Sequence, residues 1–554
     1  MKRLISVVLT LAMIFSLAAC GNSGTAASES TAAAAETAAA EEAEAPESAE
    51  TEAAGNAGGV EGDNIVIWST YDMPALGIDP STCFNYSMPT LMNVYDTLLR
   101  YNYESDSVEY AACDSYEASE DGLTWKFHIR EGMTFHDGTP VNAEAAKFSF
   151  ERTVNMGKGA SYIWAMVESF EVEDEYTLVM KCSYPTAMDL VCCSPYAAYL
   201  MSPTAVGDAG EEFFAQATDA GSGPYKIIDR TGDSQVVLEA YDGYWKPFPE
   251  NGIKTVVISQ AAETSTRRQM LEGGEADFVW ELPAEDNDAL EQNPNITRLK
   301  TPSFDNLVLM INTQMEPLND ERVRQALNYA FPYDDVIDYV MNGNATQAVG
   351  TVPTGLWGHS DDILQYKYDI DKAKELLTEA GYPDGGFTLD VIYVTGDETE
   401  RKIAELYQSE LSKLGITLDI RPLTSDMYVE KGQNADPAER PALSFLWWYP
   451  DVPSPYTFLY TYYHTSDPVS WNWTYADDAE LDKMMDDADA ISATDRNAAN
   501  EQFVAAQQYA AEKAYLISIF DKQNDIVYNS AIEGFRSDPS YSQVIFFNEL
   551  SKKQ

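Results

Sequence analysis

The chain has 554 residues and carries 90 acidic against 35 basic side chains, a formal net charge of −55 at pH 7. That excess repels nucleic-acid phosphates and disfavours flat docking on anionic lipid, so neither is expected as a partner. An acidic surface mainly serves solubility, with a weak lean toward a cationic or zwitterionic ligand; the 45% apolar and 12% aromatic fractions provide for large cores, which a chain of this length must divide among at least two domains.

At the N-terminus, Lys2 and Arg3 precede an apolar run, Leu4 to Leu17, that is too short to span a bilayer. Small residues then lead into Cys20-Gly21. This order reads as a secretory signal, and a cysteine at its cleavage point resembles the lipobox of bacterial lipoproteins. The resemblance implies that residues 1–19 are a signal peptide, that Cys20 is lipidated, and that the protein is extracytoplasmic and lipid-anchored to the bacterial cell membrane, touching it through the anchor only. Residues 20–63 are dominated by Ala, Glu, Ser, Thr and Gly and contain no aromatic side chain, so they read as a disordered acidic spacer. No later apolar run is long enough to cross a bilayer. The five cysteines after Cys20 (Cys83, Cys113, Cys182, Cys192 and Cys193) are odd in number and lack metal-type spacing, and they read as buried thiols.

The body begins near Asn64 with a strand to Ser69. Apolar spacing predicts a helix over 90–99, and strict alternation predicts a half-buried strand over 123–130 with Trp125, Phe127 and Ile129 on one face. Asn142 is placed to cap a helix reaching about 152. Strands are predicted over 236–241 and 254–259, then a helix over 264–272 stopped by Gly273-Gly274. A strong strand follows at 307–312, with helices over 320–330 and 333–341. Arg322 and Arg324 fall on the outer side of the first of these. Helix and strand then alternate with short links (369–380, 389–394, 398–414, 417–421, 443–448), which implies βαβ units and a mainly parallel sheet. Helices over 477–489 and 495–512 complete the pass.

Four stretches of this body carry a family resemblance. Asp121 to Arg152 reads D-G-L-T-W-K-F-H-I-R-E-G-M-T-F-H-D-G-T-P-V-N-A-E-A-A-K-F-S-F-E-R. Gly221 to Tyr225 is G-S-G-P-Y, Arg267 to Val279 is R-R-Q-M-L-E-G-G-E-A-D-F-V, and Leu309 to Ala330 holds L-M-I-N-T and L-N-D-E-R-V-R-Q-A-L-N-Y-A. Together they resemble the extracellular solute-binding proteins of family 5, the peptide receptors of ATP-binding-cassette (ABC) importers. The resemblance implies an α/β two-lobe periplasmic-binding-protein type II fold with an additional subdomain and a ligand cleft between the lobes. Lobe I would combine 64–99, 220–305 and 516–554, with the extra subdomain at 100–219 and lobe II at 306–515. Hinge strands would cross near Leu309–Asn312 and Ile517–Phe520. The partners implied are a short peptide and an ABC permease complex, with the receptor acting as a monomer.

In peptide-binding members a Trp-bearing strand precedes an Asp that meets the ligand's α-ammonium. Asp451 falls at that position, after Trp447, Trp448 and Tyr449, and a carboxylate there needs a cation if it leaves water. Alternation puts Trp447 and Tyr449 on one face and Trp448 on the other. The counterpart in lobe I is expected at Phe84, Asn85 and Tyr86. Arg421 and Arg440 are the nearest cations in lobe II for a ligand carboxylate. The family also includes receptors for metal chelates, haem, sugars and opines, and the same fold could serve a surface sensor. An enzyme is disfavoured: there is no G-x-S-x-G elbow, no H-E-x-x-H, no phosphate loop, and only four histidines. No cofactor, catalytic residue or metal ligand is assigned.

Overall fold

The computed structural model describes residues 65–70, 78–83, 87–216, 218–231, 234–541 and 543–553. The signal, Cys20, the spacer, and Phe84, Asn85 and Tyr86 lie outside the described residues.

Strand β1 (Ile65–Thr70) is followed by helix α1 (Met88–Val94). Strands β2 (Cys113–Ala118) and β3 (Thr124–Ile129), helix α2 (Ala143–Met156), and strands β4 (Val167–Val172) and β5 (Thr177–Cys182) come next. These four strands form their own antiparallel sheet in the order β2-β3-β5-β4, with α2 against β4 and β5. Period-2 alternation builds it: β3 buries Trp125, Phe127 and Ile129 and turns His128 to the other face, 2.7 Å from Asp114. As expected, the Asn142 side chain accepts from the Ala145 N–H and caps α2.

The chain continues through β6 (Tyr225–Thr231), β7 (Gln235–Ala240), β8 (Thr255–Gln260), α3 (Thr264–Gly273), β9 (Phe278–Val279) and β10 (Ile296–Ile311). After α4 (Glu321–Tyr329) come β11 (Thr388–Val394), α5 (Glu398–Ser412), β12 (Thr417–Leu423) and β13 (Leu443–Trp448). Helices α6 (Pro455–Tyr463), α7 (Ala479–Ser492) and α8 (Arg496–Lys513) precede β14 (Leu516–Asn529).

One long sheet runs β12-β11-β13-β10-β14-β9-β1-β8-β7-β6. It is mixed, not mainly parallel. The parallel pairs are β1–β8, β1–β9, β11–β12 and β11–β13, whereas β10 runs antiparallel to both β13 and β14. Short helix–strand links fix direction only among β11, β12 and β13; β10 and β14 find each other from distant parts of the chain. Their pairing extends from Ile296 opposite Asn529 to Met310 opposite Leu516. Its polar end is fastened by Arg298, whose guanidinium donates twice to Asp525, each bond 2.7 Å. At its apolar end both faces are covered, which is why the sequence there reads as an unbroken apolar run. Leu307, Leu309 and Ile311 join a core with α4 and α5, and Val308 and Met310 join the larger core that includes Trp125, Phe458 and Met485.

One local reading changes. Arg324 is buried, not outward: its guanidinium donates to the carbonyls of Leu318 (2.9 Å) and Lys513 (2.8 Å), tying α4 to the end of α8. Gly221 and Gly223 serve close approach and have no positive φ. A Cβ at Gly221 would lie 2.0 Å from the Val94 carbonyl oxygen, and the Gly223 N–H donates to that same oxygen at 2.9 Å. Cys113, Cys182, Cys192 and Cys193 are buried free thiols, and burial pushes the Cys182 thiol up to about 11. Gly221→Ala is expected to destabilise the protein by about 1–3 kcal/mol, read as a lower urea midpoint at unchanged slope. An unchanged midpoint would mean that the Val94 backbone yields without cost.

Candidate ligand-binding site

Strand β13 lies between β10 and β11, with Trp448 opposite Asn306 and Trp447 opposite Leu307. It ends at Trp448. Tyr449 and Pro450 turn the chain, Asp451 follows, and Ser454 then caps α6 by accepting from the Tyr456 N–H, with Pro455 in the first turn. Asp451 therefore sits in a short loop pinned by a strand on one side and a capped helix on the other. The loop is also held from across the fold. The Ser194 hydroxyl donates to the Asp451 carbonyl at 2.6 Å, and the Trp357 indole N–H donates to the Pro453 carbonyl at 2.8 Å.

A cavity of about 530 Å³ opens beside this loop. One wall comes from the region of the four-stranded sheet, with Tyr162, Tyr184 and Leu190. The other comes from β13, α6 and α7, with Trp448, Tyr456 and Asp489. The Tyr162 hydroxyl donates to the Asp451 carboxylate. Burial pushes the Asp451 carboxyl up to about 6, with the Tyr162 hydrogen bond acting the other way. Asp489, only 7% exposed, borders the same cavity and accepts from the Thr186 hydroxyl at 3.3 Å. Burial pushes it up to about 7; the Thr186 bond opposes this, and the Asp486 charge adds to it. Among the described residues neither carboxylate forms an ion pair, and none of the remaining residues after Thr70 is Lys, Arg or His. Two desolvated carboxylates in one cavity without a cation favour a positively charged ligand.

The three aromatics before Asp451 separate. Trp448 borders the cavity, 6.3 Å ring to ring from Trp471. Trp447 points to the opposite face, where its indole N–H donates to Asp397 at 2.9 Å and its ring packs 5.5 Å from Phe520. Tyr449, past the end of the strand and its alternation, donates to the Pro539 carbonyl at 3.0 Å and packs on the larger core, away from Trp447. Arg421 is paired with Asp390 and Asp419, and Arg440 is bound to Asn434 and Gln314; neither lines the cavity. A second hollow of about 380 Å³ lies along β14, where Lys522 is 3.8 Å from Asp305 and 4.0 Å from Glu281.

Sequence reading missed Tyr162, Thr186 and Asp489. Asp489 did leave a signal: it falls on the helical stripe of Leu481, Met485 and Ser492, where an acid is out of place. Tyr162 and Thr186 left none, since they meet the site only through the tertiary fold.

Residues 107–469 match the model for "Bacterial extracellular solute-binding proteins, family 5 Middle". The chain belongs to that family. Among its relatives, "Probable D,D-dipeptide-binding periplasmic protein DdpA" of Escherichia coli is 28% identical over 501 residues, covering 88% of this chain and 94% of that protein. "Heme-binding protein A" of Haemophilus influenzae is 26% identical over 513 residues, covering 86% and 90%. The structure of DppA from Helicobacter pylori in complex with peptide STSA superposes with a TM-score of 0.73 at 24% identity, covering 88% of this chain and 98% of that one. The two-lobe α/β fold of family 5 is thus the fold of this chain, and the family binds solutes outside the cytoplasm.

Because the folded state holds Asp451 at about 6 against an ordinary 3.8, it favours the protonated carboxyl. The cost of ionised Asp451 is complete above about pH 7 and disappears as pH falls through 6 toward 4. Asp451→Asn is therefore expected to stabilise the ligand-free protein at pH 7.5 by about 1–2 kcal/mol, allowing for partial solvent contact, and much less at pH 4.5. Denaturant titration at both pH values checks this; a loss of stability at pH 7.5 would contradict it.

Proposed function

We propose that this protein is the membrane-tethered, extracytoplasmic receptor of an ABC importer, and that it captures short peptides by closing two lobes and delivers them to the permease. The observation that carries this reading is the Asp451 carboxylate, desolvated, without a counter-cation, and bordering a cavity walled from both sides of the fold. A peptide α-ammonium supplies the missing charge through a charge-assisted hydrogen bond. Trp448 lies on the same wall, and an extended peptide would run along the backbone at the end of β13, a mode that tolerates varied side chains. Relatives named for dipeptides support the peptide class. Lobe I, including Phe84, Asn85 and Tyr86, contributes the facing surface; Trp447 supports the strand end from the opposite face and Tyr449 from the larger core.

Closure would turn about the long strand pair. The register of β10 against β14 breaks between Pro302 and Asn306 and again between Leu307 and Val308, beside the crossing read from the sequence. Interrupted pairing is where a two-strand connection bends most easily. The anchor is the lipid on Cys20, the acidic spacer sets the reach to the permease, and the working unit is a monomer. No chemistry is performed on the ligand.

Calorimetry with tri-alanine and its N-acetylated form tests this. The unchanged protein is expected to bind the free peptide roughly 30-fold or more tightly than the acetylated one, about 2 kcal/mol. Asp451→Asn should weaken the free peptide by a similar factor and leave the acetylated one nearly unchanged. Equal losses for both peptides would remove Asp451 from the ammonium role. A haem, opine or metal chelate bound in preference to any peptide would keep the fold and change the ligand class.

A further inference from the structure

The ammonium of a peptide neutralises one carboxylate, and the cavity has two. Asp489 sits on α7 with the apolar stripe of that helix, 93% removed from solvent, and the only hydrogen-bond partner of its carboxylate among the described residues is the Thr186 hydroxyl at 3.3 Å. The cations that could reach this region are engaged elsewhere. Arg496 donates twice to Asp189, at 2.9 and 3.1 Å, and His464 points Nε2 at Asp486 on the outer side of α7, at 3.2 Å. The walls around Asp489 are rich in aromatic surface that the fold leaves open. Tyr162 is 52% exposed, Tyr184 48% and Tyr460 42%, and all three line the cavity. The Trp448 indole N–H, on the same wall, is buried without a hydrogen-bond partner among the described residues.

Buried acids beside open aromatic faces are the environment that a guanidinium or alkyl-ammonium group fills best. The carboxylate gives the charge-assisted bond, the ring faces give cation–π contact, and the aliphatic stem covers apolar wall. We propose that Asp489, with Thr186 and the Tyr184 and Tyr460 rings, forms a subsite for a basic side chain, so that the preferred ligands are peptides whose first residue is arginine or lysine. The first residue is the one concerned because its side chain leaves the same carbon as the ammonium held by Asp451. This rests on the peptide reading above and adds a second charge requirement to it.

The test compares Arg-Ala-Ala with citrulline-Ala-Ala, which has the same shape and no side-chain charge, by calorimetry on the lipid-free mature protein and on Asp489→Asn. The unchanged protein is expected to prefer the arginine peptide by tenfold or more. Asp489→Asn is expected to lose the preference to within about threefold. Equal affinities in the unchanged protein, a comparison that needs no variant, would overturn the subsite and leave the peptide reading standing. A preference that survives Asp489→Asn would also overturn the subsite. If neither peptide binds the unchanged protein, the peptide reading falls and the subsite with it.

Discussion

A carboxylate that leaves water must meet a cation or a proton, and Asp451 is built into a place where the described residues supply no cation. The surrounding architecture holds it there. Strand β13 is locked between β10 and β11, the cap of α6 fixes the far end of the loop, and Ser194 grips the Asp451 carbonyl from the other side of the cavity. Such fixed placement makes the missing charge informative. A carboxylate on a free loop would turn to solvent, and this one is held by backbone contacts that do not depend on its charge.

The contacts across the cavity also say how ligand and closure can be coupled. Tyr162 reaches Asp451, Thr186 reaches Asp489, and Arg496 reaches Asp189, so the region around the four-stranded sheet touches the β13–α8 region through polar groups at the cavity edge. On the proposed reading, a ligand that neutralises Asp451 and Asp489 would relieve their desolvation cost and so favour closure by its differential interaction with that state. Arg496, half-buried at this interface, is matched by Asp189 and lies 5.3 Å over the Trp357 ring, so it serves the interface and leaves the cavity acids uncompensated. On the proposed reading, the strongly acidic surface of the whole chain would act in the same direction at long range, drawing cationic ligands toward the opening.

Much of this was legible in the sequence where short-range rules apply. Strand 443–448, the Asn142 cap and the alternation of Trp125, Phe127 and Ile129 are consequences of spacing alone, and the structure has all three. Long-range pairing was not legible. The first half of β10, from Ile296 to Ser303, has too many polar residues to read as a strand, and it is one because β14 pairs with it from more than two hundred residues away. Arg324 reads as surface by type and is buried because three carbonyls at a helix junction accept from it. At the site, Asp451 and Trp448 stood out through the family resemblance, whereas Tyr162 and Thr186, which border the same cavity, left no signal because only the tertiary fold brings them there.

A crystal structure of the protein with a bound free-amine tripeptide tests the central claim most directly. The account predicts the ligand's ammonium nitrogen within hydrogen-bond distance of an Asp451 carboxylate oxygen, about 2.7–3.2 Å, in the cavity between Tyr162 and Trp448. A tripeptide seated elsewhere in the cleft, with Asp451 still paired only to Tyr162, would contradict it.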